Sequence, residues 1–561
     1  MWPLHRKQTR PGQAGARLRL DGVGRLEKLR ETGLLRAMVV GLVLAAGATA
    51  ILSIGGRGPS YQLGQTLDQP ILARVAFDLP NPAAPGQIIH IASGQEIASG
   101  IIDQHEMATL RAEGDAFDKS GQAGSFSLHL VGLSLVVLLI TAGLGFYLVQ
   151  FEPRVVRRLR NITAFSAVML ASLLAARLTL LLAWHVSAHI LVTVAAGLLA
   201  VMTLTIVWGR RTALGAGFFL SLWMAIAARQ GLPMTLVLLS GMTVAALMLN
   251  EIRTRGKLLA VGVATGLVMM VSLLAISLIG GQWDRTMFTQ SLAALGAGVA
   301  ASLILQGVLP LVERVFGIAT AMTLLEYSDV SRPLLRRLAT EAPGTFNHSL
   351  QLGSMAESAA EAIGANGLLA RVGAYYHDIG KVNKPGYFVE NQAGGFSRHA
   401  KLSPAMSLLI ILGHVKDGLE MAREYGVPRV IRQFIVEHHG TTLVEYFFHA
   451  ASQKAPGEQP VAEGQFRYPG PKPQSKEAAI LMLCDAVEGA SRSLAEPTPG
   501  RIEDMVRLIV NKRLHDGQLD ECNLTLQELH LVEQSLVKSL CGFYHGRITY
   551  PSATEGQTRT A

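Results

Sequence analysis

Potential metal ligands crowd the C-terminal half of this 561-residue chain: His348, the adjacent pair His377-Asp378, His399, His414, the adjacent pair His438-His439, and Asp485. Imidazole and carboxylate together suit iron, manganese, cobalt, nickel or zinc, and do not suit calcium, which takes oxygen ligands. No cysteine is needed among them. Successive residues of a helix point about 100° apart, at 3.6 residues per turn. His377 and Asp378 therefore cannot easily serve one ion from one face. They could instead flank two ions, with the Asp378 carboxylate bridging, and the same holds for His438 and His439. Two adjacent pairs plus single ligands far apart in sequence predict a two-metal site inside a helical bundle. Two ions about 3.5–4 Å apart can bind phosphate oxygens and a bridging hydroxide, which is the chemistry of phosphodiester hydrolysis.

Each of these histidines taken alone is more often a structural or surface residue than a ligand. His399 follows Arg398 in a polar loop and is the weakest of the set. The His377-Asp378 pair differs, because it follows the apolar run Val372-Gly373-Ala374-Tyr375-Tyr376. An unpartnered pair buried there would be costly, and a metal removes the cost.

The elements that must position these groups follow from composition. Half of the residues are apolar and the formal charge is +9. The apolar excess falls in long blocks before about residue 310. A bilayer span needs roughly 20 apolar residues. Eight candidate spans run over 36–54, 126–150, 162–183, 187–208, 212–229, 232–250, 258–280 and 286–309, and the fifth and sixth are short and share the turn at Gly231-Leu232-Pro233. Alternate short loops carry Arg154, Arg157, Arg158 and Arg160, then Arg210 and Arg211, then Arg253, Arg255 and Lys257, whereas the opposite loops carry Arg229 and Arg285. Basic loops stay inside. That places the basic N-terminal tail and, after eight spans, the C-terminal domain in the cytoplasm. The positive charge reads as topology rather than as a nucleic-acid surface, so no DNA or RNA polymer is expected as a partner. The first span has a signal-peptide alternative, since Ala48-Thr49-Ala50 resembles a cleavage site.

Residues 55–125 form the one long external loop, with Pro, Gly and short alternating stretches that suggest a small mixed domain. Arg177 lies inside the third span, where an ionisable group marks function by default or else snorkels or pairs within the bundle. Cys484, Cys522 and Cys541 all lie in the soluble part and suggest neither a disulfide framework nor a zinc ribbon. From about 311 apolar residues recur at helical spacing, with no convincing strand alternation. The stretch 451–475 reads as a loop, and the tail after about 551 as disordered.

The segments EAPGTFNHS (341–349), YYHDIGKVNKPGYFVENQ (375–392), LGHVKDG (412–418), EHHGTT (437–442), FRYPGPKPQSKE (466–477) and CDAVEGASRS (484–493) resemble the HD superfamily of metal-dependent phosphohydrolases. Closer still, the chain resembles the bacterial seven-transmembrane HD family, whose best-known members are membrane-bound cyclic di-AMP phosphodiesterases. The resemblance implies an all-α protein: a cytoplasmic tail (1–35), a first span (36–54), a short extracytoplasmic domain (55–125), a seven-helix membrane block (126–309), a linker helix (310–340), an HD domain (341–550) and a disordered tail (551–561). It implies that His348, His377, Asp378 and Asp485 hold one metal, and that Asp378 bridges to a second held by His414, His438 and His439. Two divalent transition-metal ions, manganese or iron, are the expected cofactors.

With His377 and Asp378, Lys381 completes the expected catalytic set. It follows His377 by four residues, on the same helical face, and is a candidate to neutralise a substrate phosphate oxygen. The alternative is an ordinary solvated lysine. Tyr375, Tyr376, Tyr387 and Phe388 flank the motif, and one or more could stack on a purine. Core packing suits Tyr375 better, and Tyr387 is the expected substrate contact. The related HD-GYP enzymes, which act on cyclic di-GMP, carry Gly-Tyr-Pro after their His-His pair. Here the pair is followed by Gly440-Thr441-Thr442-Leu443. The expected reaction is therefore hydrolysis of cyclic di-AMP to pApA at the inner membrane. The alternatives are an HD hydrolase of cyclic di-GMP or an alarmone, and a non-catalytic dinucleotide receptor. A homodimer is an open alternative to a single chain. Two departures from the family stand out: the external domain is much shorter than usual, and Ser397-Arg398-His399-Ala400 replaces the usual Asn-Pro-His-Asp.

Overall fold

The computed structural model describes residues 34–54, 61, 67, 70–80, 87–100, 102–120, 123–182, 186–228, 231–249, 251–281, 283–392, 398–454, 461–494 and 496–545. The basic residues of the tail before 34, and the tail after 551, lie outside the described residues. Two compact units result, Met1–Val312 and Glu313–Ala561.

In the first unit, long apolar runs become helices because a chain in lipid must satisfy its own backbone polar groups. These are α1 (Leu34–Ser53), α3 (Ala123–Phe151), α5 (Leu159–Leu182), α6 (Val186–Trp208), α7 (Arg210–Ala227), α8 (Leu232–Met248), α9 (Arg255–Ile279) and α10 (Arg285–Phe316), with a short helix α4 at Pro153–Arg157. Every expected span coincides with one of them. Six are long and apolar enough to cross a membrane, so this is a membrane protein. The other two are α7, which opens on Arg210 and Arg211, and the 17-residue α8. Both are extensively buried: Trp223 and Met224 of α7 and Val237 and Leu238 of α8 are enclosed. Helices α9 and α10 cross at backbone contact. A Cβ on Gly298 would stand 2.4 Å from the carbonyl oxygen of Gly262, so glycine is required for the approach.

Arg177 is buried within α5. Its Nε donates to the Ile54 carbonyl at 2.7 Å and its Nη1 to the Ala227 carbonyl at 3.1 Å, at the C-terminal ends of α1 and α7. Those ends carry unpaired carbonyls and partial negative charge, so a cation suits them. Of the two readings open for Arg177, the structure supports pairing within the bundle.

Between α1 and α3 lies a small mixed layer. Strand β1 (Ile71–Leu72) pairs antiparallel with β4 (Glu96–Ala98), and β2 (Phe77–Pro80) with β3 (Ile88–Ile91). Helix α2 (Gln104–Lys119) packs on them behind a capping box of Asp103 and Glu106. Phe77, Ile91, Ile97, Ile102 and Leu110 fill its core, and Arg74 Nη2 meets Glu113 Oε2 at 2.7 Å.

The second unit is helical, as its periodicity predicts. Its helices are α11 (Ala321–Tyr327), α12 (Pro333–Glu341), α13 (Pro343–Ala362), α14 (Gly367–Tyr376), α15 (Pro404–Glu424), α16 (Arg429–Glu437), α17 (Glu445–Lys454), α18 (Lys476–Ser491), α19 (Pro499–His515) and α20 (Leu526–His545). Local chemistry sets the starts of the helices that matter most. Pro343 and Pro404 occupy first-turn positions, and Asn366, Ser403 and Ser475 accept from the backbone N–H three residues on. One apolar cluster joins α13, α18, α19 and α20 through Leu352, Met355, Ile480, Val506 and Val532. A second joins α12, α14 and α16 through Leu335, Tyr376, Ile379, Ile431 and Ile435. Tyr375 and Tyr376 are both buried in this second cluster, so neither faces a substrate.

Candidate metal centre

Five helices deliver ligands to the space between these clusters. His348 lies on α13 and His414 on α15, Asp485 lies on α18, and His377 and His438 stand at the C-terminal ends of α14 and α16. The chain leaves the α-helix at His377 and continues as a 3-10 turn over Ile379–Asn383. A Cβ on Gly380 would stand 1.9 Å from the His414 carbonyl oxygen, so glycine lets this turn lie directly on α15. The turn corrects one expectation. Lys381 does not share a continuous α-helical face with His377. Its Nζ instead reaches Asp378 Oδ2 at 2.7 Å across the tighter turn.

The donors fall into two groups whose ligand atoms lie within 4.8 Å of one another: Asp378, His414, His438 and His439, and separately His348, His377 and Asp485. Asp378 faces both groups. Its Oδ1 lies 3.3 Å from His414 Nε2 and 3.7 Å from His438 Nε2, and its Oδ2 lies 3.1 Å from His377 Nε2 and 3.8 Å from His348 Nε2. Asp485 Oδ1 is 3.2 Å from His348 Nε2. All seven expected ligands are thereby brought together, and Asp378 stands between the two halves.

Tautomers can be read from the backbone. The Nδ1 of His377 lies 2.6 Å from the Ala374 carbonyl, that of His414 2.5 Å from the Ile411 carbonyl, and that of His438 3.0 Å from the Phe434 and Ile435 carbonyls. A carbonyl only accepts, so each Nδ1 carries a proton, and in the neutral ring Nε2 is the bare nitrogen that faces the centre. His414 Nε2 and His438 Nε2 stand 3.4 Å apart, lone pair against lone pair. His377 Nε2 and Asp378 Oδ1 are buried without a hydrogen-bond partner. Such an arrangement is unfavourable unless a cation lies between the donors. These residues therefore fit a divalent metal pair.

Burial and neighbouring cationic groups hold His414 and His439 below the usual histidine range and take His438 down to about 3, so protons are poor occupants. Asp378 is held well below the carboxylate range, since neighbouring positive charge, that of Lys381 included, outweighs its burial. Burial also pushes His348 towards neutrality, but its contacts with Asp485 and Glu488 prevail and raise it to about 9.

Several supporting residues were not singled out from the sequence. Glu488 Oε2 lies 3.0 Å from His348 Nδ1 and its Oε1 2.7 Å from Arg492 Nη2. Glu390 Oε1 lies 2.8 Å from Lys381 Nζ and accepts from Thr345 Oγ1 at 3.0 Å. Lys381 is thus a buried cation between two carboxylates, and the ordinary solvated lysine is set aside. Tyr468 stacks on His439 with ring centroids 4.1 Å apart, and Phe388 meets the His414 ring edge-on at 5.8 Å. Tyr387 packs instead against His399 at 5.4 Å, and His399 in turn against Phe447 at 5.1 Å. Tyr387 and His399 form their own contact, and neither belongs to the two ligand groups. The signal that could have found Glu488 is its spacing, three residues after Asp485 on one helix face.

Comparison with known proteins agrees with this geometry. Residues 127–320 match the family described as a 7TM receptor with intracellular HD hydrolase, and residues 345–490 match the HD domain. The cyclic-di-AMP phosphodiesterase PgpH of Bacillus subtilis (strain 168) is 45% identical over 320 residues, covering 57% of this chain and 44% of that protein. The protein of the same name from Listeria monocytogenes (serotype 1/2a, strain 10403S) is 36% identical over 438 residues, covering 77% of this chain and 59% of that protein. The chain thus spans about half the length of the curated relatives it matches. A crystal structure of the L. monocytogenes PgpH HD domain in complex with cyclic-di-AMP is 45% identical, covering 38% of this chain and 100% of that one, with a TM-score of 0.37. The two family matches fall on the two parts of the molecule, the first on the membrane helices and the second on the ligand-bearing helices, and make this chain similar to 7TM receptors with an HD hydrolase domain.

Proposed function

We propose that this protein is a membrane-bound, metal-dependent phosphodiesterase that hydrolyses cyclic di-AMP to the linear dinucleotide pApA. The observation that carries the reading is the pair of ligand groups sharing Asp378, with bare Nε2 atoms facing each other across the centre. His348, His377, Asp378 and Asp485 would hold one divalent ion, and Asp378, His414, His438 and His439 the other. Manganese or iron suits this nitrogen and oxygen set. The ions, when bound, supply Lewis acidity towards a phosphodiester oxygen and a water molecule. The chain does the rest. The backbone carbonyls anchor Nδ1 of His377, His414 and His438 and so turn each Nε2 towards the centre, and Asp378 stays ionised between the two ligand groups. Lys381, held protonated against its burial by the carboxylates of Asp378 and Glu390, offers a positive charge to a phosphate oxygen. In the reaction a water oxygen bonds to phosphorus, the bond from phosphorus to a ribose 3′-oxygen breaks, and the proton of water ends on that 3′-oxygen.

The substrate assignment is supported by the cyclic-di-AMP phosphodiesterase activity for which the relatives are named and by the lack of Gly-Tyr-Pro after His438-His439. The basic loops favour an inner-membrane protein with its ligand-bearing unit in the cytoplasm. The test is turnover by the purified full chain in detergent, loaded with manganese or ferrous iron and offered cyclic di-AMP beside cyclic di-GMP. Conversion of cyclic di-AMP to pApA is expected, abolished in His377→Ala and Asp378→Ala. Undiminished hydrolysis in those variants would refute the site. Metal-loaded protein that binds cyclic di-AMP without cutting it would be a receptor instead.

A further inference from the structure

A cavity of about 370 Å³ opens between α1, α3 and α5, at the end of the membrane unit where α3 leads into the short helix α4. That volume is within the range of ligand sites, roughly 300–1,000 Å³. Leu44, Leu138, Leu148 and Phe165 form its walls. Two glycines pare those walls back: a Cβ on Gly41 or on Gly145 would meet nothing within 4 Å. Met38, Leu42 and Phe146 also border it and are largely exposed, so it opens sideways, where a lipid chain could enter.

Two features distinguish this groove from an ordinary gap between helices. Ser166 lines it, and its buried hydroxyl has no hydrogen-bond partner. An unsatisfied buried donor calls for an acceptor. Val156 also lines it and is flanked on α4 by Arg154 and Arg157, with Arg158 and Arg160 following. All four arginines are exposed, and none makes an ion pair among the described residues, although Glu152 is close in sequence. A basic loop alone would be a topology signal. Here it stands at one end of an apolar groove whose wall offers a hydroxyl.

We propose that this groove binds one anionic phospholipid, with an acyl chain between α1, α3 and α5, an ester carbonyl on Ser166 Oγ, and the phosphate among the arginines of residues 154–160. Basic sites beside membrane helices hold anionic headgroups in this manner. Helix α1 lies outside the matched seven-helix segment, so the lipid would join the first helix to the block.

The test uses the full chain, delipidated in neutral detergent and exposed to equal amounts of phosphatidylglycerol and phosphatidylcholine, with bound lipid counted by native mass spectrometry. The wild type is expected to retain one phosphatidylglycerol and to exclude phosphatidylcholine. Gly145→Leu and the double variant Gly41→Leu/Gly145→Leu fill the groove and are expected to lose it. Gly132→Leu, on α3 with equal open space but away from the groove, is expected to keep it. Arg157→Gln/Arg158→Gln is expected to lose the preference between the lipids. A ligand that binds only the folded state raises the melting temperature, so phosphatidylglycerol should stabilise the wild type and Gly132→Leu but not Gly145→Leu. Equal retention of both lipids by the wild type, or undiminished retention and stabilisation in Gly145→Leu, would overturn the proposal.

Discussion

Replacing Glu488 by glutamine should cost one metal ion and spare the other. His348 must present a bare Nε2 to a metal, so its proton must sit on Nδ1, and the negative charge of Glu488, whose Oε2 stands 3.0 Å away, favours this tautomer. Arg492 Nη2 lies 3.2 Å from the same Nδ1 and can only donate. Left to Arg492 alone, His348 would turn Nδ1 into an acceptor and place its proton on Nε2, in the ligand position. Glutamine fills the space of glutamate, but its amide must set either its oxygen or its NH2 against Arg492 and the other against His348. One contact is lost whichever way it turns. Loss of such an outer partner weakens metal binding roughly 10–100-fold. Above about pH 9, where no proton competes at His348, the affinity of the His348-His377-Asp485 group should fall by that factor, while the His414-His438-His439 group keeps its own.

The same substitution has a pH signature. In the metal-free protein His348 is held at about 9, so at neutral pH a metal must displace its proton. His414, His438 and His439 are already neutral there and contribute none. Affinity should therefore rise about tenfold per pH unit from 7 and level off above about 9, with about one proton released per protein. Between pH 7 and 9 this competition amounts to about 3 kcal/mol. In Glu488→Gln the His348 pKa drops, and with it the proton count at pH 7.5. Titration calorimetry of the full chain with manganese, in buffers of different ionisation enthalpy, measures both quantities. Two sites of unchanged affinity and an unchanged proton count would refute the role given to Glu488.

Two further outcomes follow from the aromatic contacts and the turn beneath the ligands. If Tyr468 rather than Tyr387 bears on the substrate, Tyr468→Leu should raise KM for the dinucleotide by roughly 5–150-fold, the range for one lost base stack of about 1–3 kcal/mol. Tyr387→Leu should stay within about twofold, and steady-state kinetics on both variants separates them. Gly380→Ala puts a methyl into the His414 carbonyl. Overpacking of this kind costs about 3 kcal/mol, which should lower the apparent melting temperature by about 6–12 °C, with weakened manganese binding in the same sample.

Much of this could be read before any coordinates, for a physical reason. A long apolar run folds as a helix by a local rule, so the six helices long enough to cross a membrane, and the two shorter ones between them, were legible as helices from composition. The ligand set was legible because imidazole and carboxylate in adjacent pairs carry a large burial cost that few arrangements repay. What escaped depends on where the chain turns. Lys381 looked helical because four residues separate it from His377, yet α14 ends at Tyr376 and the 3-10 turn rotates the side chain onto Asp378. Nothing in the local sequence marks that transition except Gly380, whose need is set by α15, far along the chain.

The same reasoning explains why Tyr387 was singled out from the sequence and Tyr468 was not. Tyr387 is close in sequence to the His-Asp pair, but the 3-10 turns that follow carry it onto His399. Tyr468 lies in a Pro- and Gly-rich stretch that reads as a loop. That stretch is tied to the segment after His439, with Tyr468 N donating to the Thr442 carbonyl at 3.0 Å and Arg467 Nη1 to the Thr441 carbonyl at 2.8 Å. Arg467 is in turn braced by Asp516, at 2.9 Å. These contacts fix residues 467 and 468 against the segment that follows His439, which is why Tyr468 can lie flat on that histidine.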